Sequence, residues 1–359
     1  MPVRPLVTTY EQDLGLYPDF WHRVGWAVAG IGVCVLPWVA SARWLSVANQ
    51  ALVAIVGAAG LMILTGFAGQ ISLGHAAFLA VGAYAVAVAG ELWHLPFWLG
   101  LPLAGCLSAA IGLAVGPFAL RLKGLYLAIV TLGLLFLVQH TLLSLNAWTH
   151  GVSGIAVPLH LTFAADGPVF GRTFTTGPLT WTFERQLYAL YLPITAAAAW
   201  ACRNLQRSNT GRAMMAVRDS DLAAAALGVS PARAKVTAFG ISSFLAGVAG
   251  AMFAWQQQYI TIEPPFDLHL SVMYIAMIVL GGLGTTFGAI WGAAFVVVLA
   301  PLSQALGRVL PGLGALSTAQ QATVVTAVVV VALLIFEPLG LLGIWLRVKR
   351  YFASWPFSY

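Results

Sequence analysis

Gly124-Leu125-Tyr126-Leu127-Ala128-Ile129-Val130-Thr131-Leu132-Gly133-Leu134-Leu135-Phe136-Leu137-Val138-Gln139-His140-Thr141-Leu142-Leu143-Ser144-Leu145 runs without a single Asp, Glu, Lys or Arg. A helix needs about 20 mostly apolar residues to cross a hydrocarbon core about 30 Å thick. Lipid offers no partner to backbone amides, so such a run must satisfy its own N–H and C=O groups as a helix. Working outward, comparable stretches lie near 24–40, 45–65, 76–91 and 96–120, then near 187–202, 236–256, 268–281, 286–300 and 322–346. The expected fold is an all-α integral membrane protein with about ten transmembrane helices, those near 76–91 and 268–281 short enough to be tilted or interrupted. Composition agrees: 60% of the 359 residues are apolar and 8% charged, against about 25% charged in a soluble domain.

Cations lie between the apolar runs, which makes the net charge of +6 a matter of membrane topology and not of nucleic-acid binding. The stretch 203–235 holds Arg203, Arg207, Arg212, Arg218, Arg233 and Lys235 and is expected to be cytoplasmic. Arg121 and Lys123 mark a second cytoplasmic turn, and Arg347, Lys349 and Arg350 place the C-terminus inside. The expected organisation is a cytoplasmic segment 1–23, a transmembrane domain 24–346 with an external loop 146–185, and a cytoplasmic tail 347–359. Ten crossings put both termini inside and leave only Arg43 on the wrong side. Residues 24–42 resemble a cleaved signal peptide in part, but Glu11, Asp13 and Asp19 precede them, which favours an uncleaved first span. Cys34, Cys106 and Cys202 sit in or beside apolar runs and read as core residues.

Glycine interrupts the pattern twice. Thr65-Gly66-Phe67-Ala68-Gly69-Gln70-Ile71-Ser72-Leu73-Gly74-His75 separates two apolar spans. Non-helical backbone at membrane depth survives only buried in protein or lining a wet cavity, and such breaks build midplane substrate sites. On that reading Gln70, Ser72 and His75 line a translocation path; the other reading is a cytoplasmic turn with close helix packing. Gly281-Gly282-Leu283-Gly284-Thr285-Thr286-Phe287-Gly288 repeats the pattern late in the chain, adds Gly281, Gly282 and Gly284 to the candidate path, and suggests an internal repeat. Of the ionisable groups near spans, Glu91 and His94 fall at an external end, and His140 with Gln139 reads as an interhelical hydrogen bond.

Between the basic residues of 203–235 lies a capped helix. Asp219-Ser220-Asp221 offers an N-cap and a first-turn acid. Leu222-Ala223-Ala224-Ala225-Ala226-Leu227 is a run of strong helix formers, and Gly228 suits a left-handed C′ position. Ser230-Pro231 caps the next helix. A helix this short and small is either a connector under its own bundle or an insert for a groove on another protein.

This segment resembles the loop of bacterial ABC importer permeases, in which Glu-Ala-Ala precedes Gly by three residues. Aligned on Gly228, the first positions fall on Leu222, Ala223 and Ala224, with Asp221 one step ahead of the usual acid. Gly69-Gln70-Ile71-Ser72-Leu73-Gly74-His75-Ala76-Ala77-Phe78, Gly124–Gly133 and Val279–Gly284 are similar to LivM-type branched-chain amino-acid permeases, over about 45–359. His150 stands where that family usually has glycine. The resemblance implies an ABC importer permease fold in the bacterial inner membrane and, as partners, a second homologous permease, two ATP-binding subunits and an external substrate-binding protein. It also implies docking through Arg218, Asp219, Asp221, Leu222, Ala223, Ala224 and Gly228. No Gly-x-x-x-x-Gly-Lys-Ser/Thr loop occurs, so the chain is expected to bind no cofactor, with ATP on the partner subunits. Urea, short amides and aromatic acids are alternative cargo within the family, and a secondary transporter or channel is the alternative class. A membrane enzyme would need a catalytic cluster, which the seven His and scattered carboxylates do not form.

Overall fold

The computed structural model describes residues 30 and 32–354, apart from 123, 161–173, 177–178, 308–316 and 338–339. The chain divides after Ser46 into two compact units. Helical backbone at 32–39 belongs to the first, and the rest of the expected 24–40 span lies outside the described residues. Helix α1 is Ala42–Leu61 and runs on through a π-turn at Met62–Phe67. It is followed by α2 (His75–Trp93), α3 (Phe97–Arg121) and α4 (Leu125–Ser144). Then come α5 (Phe183–Arg207), α6 (Asn209–Asp219), α7 (Asp221–Ala226) and α8 (Pro231–Gln257). The last four are α9 (Leu268–Gly281), α10 (Thr286–Gly307), α11 (Thr318–Phe336) and α12 (Gly340–Ser354).

Among the described residues six helices are long and apolar enough to cross a membrane: Ala42–Phe67, α2, Phe97–Phe118, α4, α8 and Thr286–Ser303. Two apolar helices are shorter, α9 and Thr323–Leu333 within α11. Helix α5 covers the expected 187–202 span with 25 residues, but Glu184, Arg185, Arg203 and Arg207 at its ends keep it outside that group. The expected 322–346 span is not one helix. It ends at Phe336 with Glu337 as cap, and a new helix starts at Gly340, whose φ is +67°. Pro338 follows Glu337 and has no N–H to extend the ladder. The boundary drawn between 346 and 347 therefore falls inside α12. Arg347 Nη2 donates to Glu337 Oε2 at 2.6 Å across this break.

Helix α8 packs chiefly against α3 and α2, and it does so through absent side chains. A Cβ on Gly82 would stand 2.1 Å from Gly247 O, and one on Gly250 would stand 2.0 Å from Leu79 O. Backbones this close gain van der Waals contact that lipid cannot supply, the usual route to tight helix packing in membranes.

Polar contacts tie the remaining elements to this core. Asn49, fully buried, donates to Glu184 Oε2 at 2.8 Å. Gln139 Nε2 donates to Phe266 O at 2.7 Å. The hydrogen bond expected of the Gln139–His140 pair thus belongs to Gln139 and reaches the loop before α9 instead of a helix, while His140 is exposed. Cys34 and Cys106 are also exposed and only Cys202 is buried. Lipid-facing and core-facing positions are equally apolar, so the sequence pattern does not separate them. The expected 146–185 loop holds strand β1 (Ile155–Ala156) and the hairpin β2 (Phe174–Thr176) and β3 (Leu179–Trp181), and α5 already begins at Phe183. Strand β1 pairs antiparallel with β4 (Tyr259–Ile260), Ile155 facing Ile260. His150 takes φ +56°, a conformation that favours the glycine usual there. His160, buried, stands edge-on to His94 with ring centroids 5.3 Å apart.

Candidate functional site

Three Ser caps organise the stretch between α5 and α8. Ser208 accepts from Gly211 N and starts α6, Ser220 accepts from Ala223 N and starts α7, and Ser230 accepts from Arg233 N where Pro231 opens α8. Helix α7 ends as the sequence predicts. Gly228 takes φ +82° while Gly228 N bonds Ala225 O and Val229 N bonds Ala224 O, the two closing bonds of a Schellman turn. The linking segment is thus 208–230, shorter than 203–235, and includes an 11-residue helix, α6, that the sequence reading did not resolve.

On α7, Leu222 is 83% exposed and Leu227 82%. Ala223 and Gly228 are exposed beside them, whereas Ala224 turns inward and is buried. Asp221 Oδ2 accepts from Lys235 Nζ at 2.8 Å. The lysine side chain is almost wholly buried, and a buried ammonium is held there only with such a partner. Arg218 pairs with Asp219 at 3.1 Å.

The other end of Arg218 reaches the first glycine break. Its Nη1 donates to Gly66 O at 2.8 Å, at the end of the π-turn. Gly69, with φ +67°, lies under the same side chain: a Cβ there would stand 2.6 Å from Arg218 Cγ. The second break is held in parallel. Gly284 O accepts from Gln206 Nε2 at 3.2 Å, and Gln206 Oε1 accepts from Thr286 Oγ1 at 3.2 Å. The two breaks also meet directly, since Gly284 N points at Met62 Sδ, 3.2 Å away. Gly284 has φ +84° and Gly282 φ +113°, and Gly281 packs bare backbone against Gly288. A cleft of about 350 Å³ opens here, lined among others by Gln70, Leu127, Arg218, Asp219, Leu222 and Lys235.

The candidate path residues separate by surroundings. Gln70 lines the cleft and is 5% exposed, and its amide N and O have no partner among the described residues. Ser72 is fully buried and accepts from Gly74 N. His75 Nε2 lies 3.0 Å from Gly57 O, and its ring stands edge-on to Tyr274 at 5.1 Å. Ser72 is tied into a local turn and His75 into helix packing, whereas Gln70, through the cleft, and Gly284, beside Arg218 Nη1, lie against the 208–230 segment. The sequence reading missed Gln206 and Met62. A glutamine in a basic stretch and a methionine in an apolar one carry no pattern that marks them.

Residues 43–337 match the family described as branched-chain amino acid transport system / permease component. The chain belongs to that family. It is 36% identical over 276 residues to the high-affinity branched-chain amino acid transport system permease protein LivM of Salmonella typhimurium, covering 73% of this chain and 64% of that protein. The LivM of Escherichia coli is 35% identical over the same shares. The chain thus spans just under two thirds of the length of these relatives. The autoinducer 2 import system permease protein LsrC of Enterobacter sp. (strain 638) is 29% identical over 75% of this chain and 74% of its own. No solved structure matches the chain.

Proposed function

We propose that this chain is the translocation subunit of an ATP-driven importer that carries branched-chain or other hydrophobic amino acids across the bacterial inner membrane. The observation that carries the proposal is the capped helix α7, which presents Leu222 and Leu227 to solvent beside the small Ala223. Large apolar side chains rigidly displayed on a short helix fit a groove on a partner. That partner is one of two ATP-binding subunits, which hold and hydrolyse ATP while this chain forms the path. A second, homologous permease completes the membrane part, and an external binding protein delivers the cargo. LivM supplies the cargo assignment; the LsrC likeness makes a different cargo the reading to exclude.

The 208–230 segment and both glycine breaks share one end of the bundle, which supports a common cytoplasmic face; the charge pattern of the sequence is what puts both termini inside. Gln70, Gly282 and Gly284 then stand where the path meets that face, with Ser72 and His75 behind them. The test is leucine uptake into proteoliposomes holding the complete complex, with ATP and binding protein. ATP-dependent accumulation is the expected result. Uptake indifferent to ATP would refute the class, and ATP turnover that moves another solute but no leucine would refute the cargo.

A further inference from the structure

We propose that Arg218, seconded by Gln206, is the positioning residue that latches both glycine breaks to the docking segment, so that neither break opens until α6 moves. The proposal rests on the importer reading and assigns the part of that site which transmits motion. The last carbonyls of a helix lack intrahelical partners, and a cation is favoured at that end of the dipole. Gly66 O is such a carbonyl, and the Arg218 guanidinium meets it at 2.8 Å. Gln206 Nε2, uncharged, bonds Gly284 O in the turn before α10 at 3.2 Å. These two side chains come from the two sides of the α5–α6 junction, and each holds one break.

The surroundings fit a latch. Arg218 lies between two bare backbones, since a Cβ on Gly284 would stand 3.0 Å from its Nη1 and one on Gly69 would meet its Cγ. Asp219 grips the guanidinium from the docking side. Arg218 therefore joins three things at once: the first break, the second break and the residue before the α7 cap. Gln70 supplies an independent sign that this arrangement is one of two. Both polar ends of its amide are buried without partners among the described residues, and burial of unpaired polar groups is costly. A second arrangement in which the cleft opens would wet that amide. Arg218 shares the cleft with Leu222, so co-purification of the subunits is the control that separates a lost latch from lost docking.

The experiment uses the full importer complex with Gln70→Cys as reporter, alkylated by a maleimide and read peptide by peptide by mass spectrometry, which separates it from Cys34 and Cys106. Arg218→Gln is expected to raise the labelling rate of the reporter thiol at least fivefold and to lower leucine uptake per ATP hydrolysed at least tenfold, with all subunits still co-purifying. Arg218→Lys, which keeps charge and one donor, restores part of both, and Gln206→Leu moves both in the same direction by less. Unchanged labelling overturns the latch. So does a parallel fall in ATP turnover and uptake with loss of co-purification, the mark of a merely structural residue. Labelling needs neither ATP nor cargo; if the unaltered complex fails to accumulate leucine, the cargo reading fails and labelling still decides the latch.

Discussion

Truncating Leu222 and Leu227 together to alanine tests the docking surface most directly. Both are over four-fifths exposed in the chain alone, so nearly the whole of each side chain is free to be buried by a partner. Leu→Ala removes three carbons, and each buried methylene is worth about 0.8 kcal/mol. With burial in a groove incomplete, about 1.5 kcal/mol per residue is the reasonable share. The pair then loses about 3 kcal/mol, or roughly 100-fold in the dissociation constant of an ATP-binding subunit. The permease itself is expected to change by no more than about 0.5 kcal/mol, because neither side chain supports its fold. Titrating the purified ATP-binding subunit onto the detergent-solubilised chain gives the affinity, and thermal unfolding of the chain alone gives the control. A double variant that binds within twofold of the original would refute the assignment of α7 as a docking helix.

Three other outcomes follow from the packing and the charges. Gly250→Val places a side chain 2.0 Å from Leu79 O and is expected to destabilise the α2–α8 contact by about 3 kcal/mol, read as a lowered midpoint of thermal unfolding. Asp221→Asn leaves the buried Lys235 ammonium without its charge partner; hydrogen exchange at amides 222–228 should speed up, while Asp221→Leu with Lys235→Met should recover most of the protection. His160 has its pKa lowered, first by burial and then by the nearby His94. The unfolded chain therefore takes up the proton first as pH falls below about 6.5, so this contribution to stability is whole above that value and is lost toward the lowered pKa. Comparing unfolding midpoints at pH 7.5 and 5.0, His160→Gln should lose less than the unaltered chain, and equal losses would exclude the effect.

The long apolar runs were legible because a bilayer demands length and apolarity and little else, as α4 shows. The caps at Ser220 and Ser230 and the turn at Gly228 were legible because each depends on a few adjacent residues. Span boundaries were harder to read: within 322–346 one helix ends at Phe336 and another starts at Gly340, and the charged ends of α5 leave its apolar centre short. The convergence of Gly66 and Gly284 on Arg218 lies beyond any local pattern, since those residues are far apart in sequence and the glycines announce only that something comes close. Inward and outward faces were also hidden: His140 and Gln139 are neighbours in an apolar run, yet only Gln139 faces protein.

The link from α7 to α8 has a mechanical consequence. Only Leu227–Ser230 separate the two helices, and α8 then continues for 27 residues, a rod of about 40 Å. At its far end Gln258 O accepts from Val157 N, and Tyr259–Ile260 pair with Ile155–Ala156. A helix of that length, wedged by glycines between two neighbours, slides or tilts more readily than it compresses. Displacement applied at Pro231 therefore arrives at the small ribbon on the opposite face of the bundle. A fluorophore on exposed Val152, next to that ribbon, would register from one side of the membrane what a nucleotide does on the other.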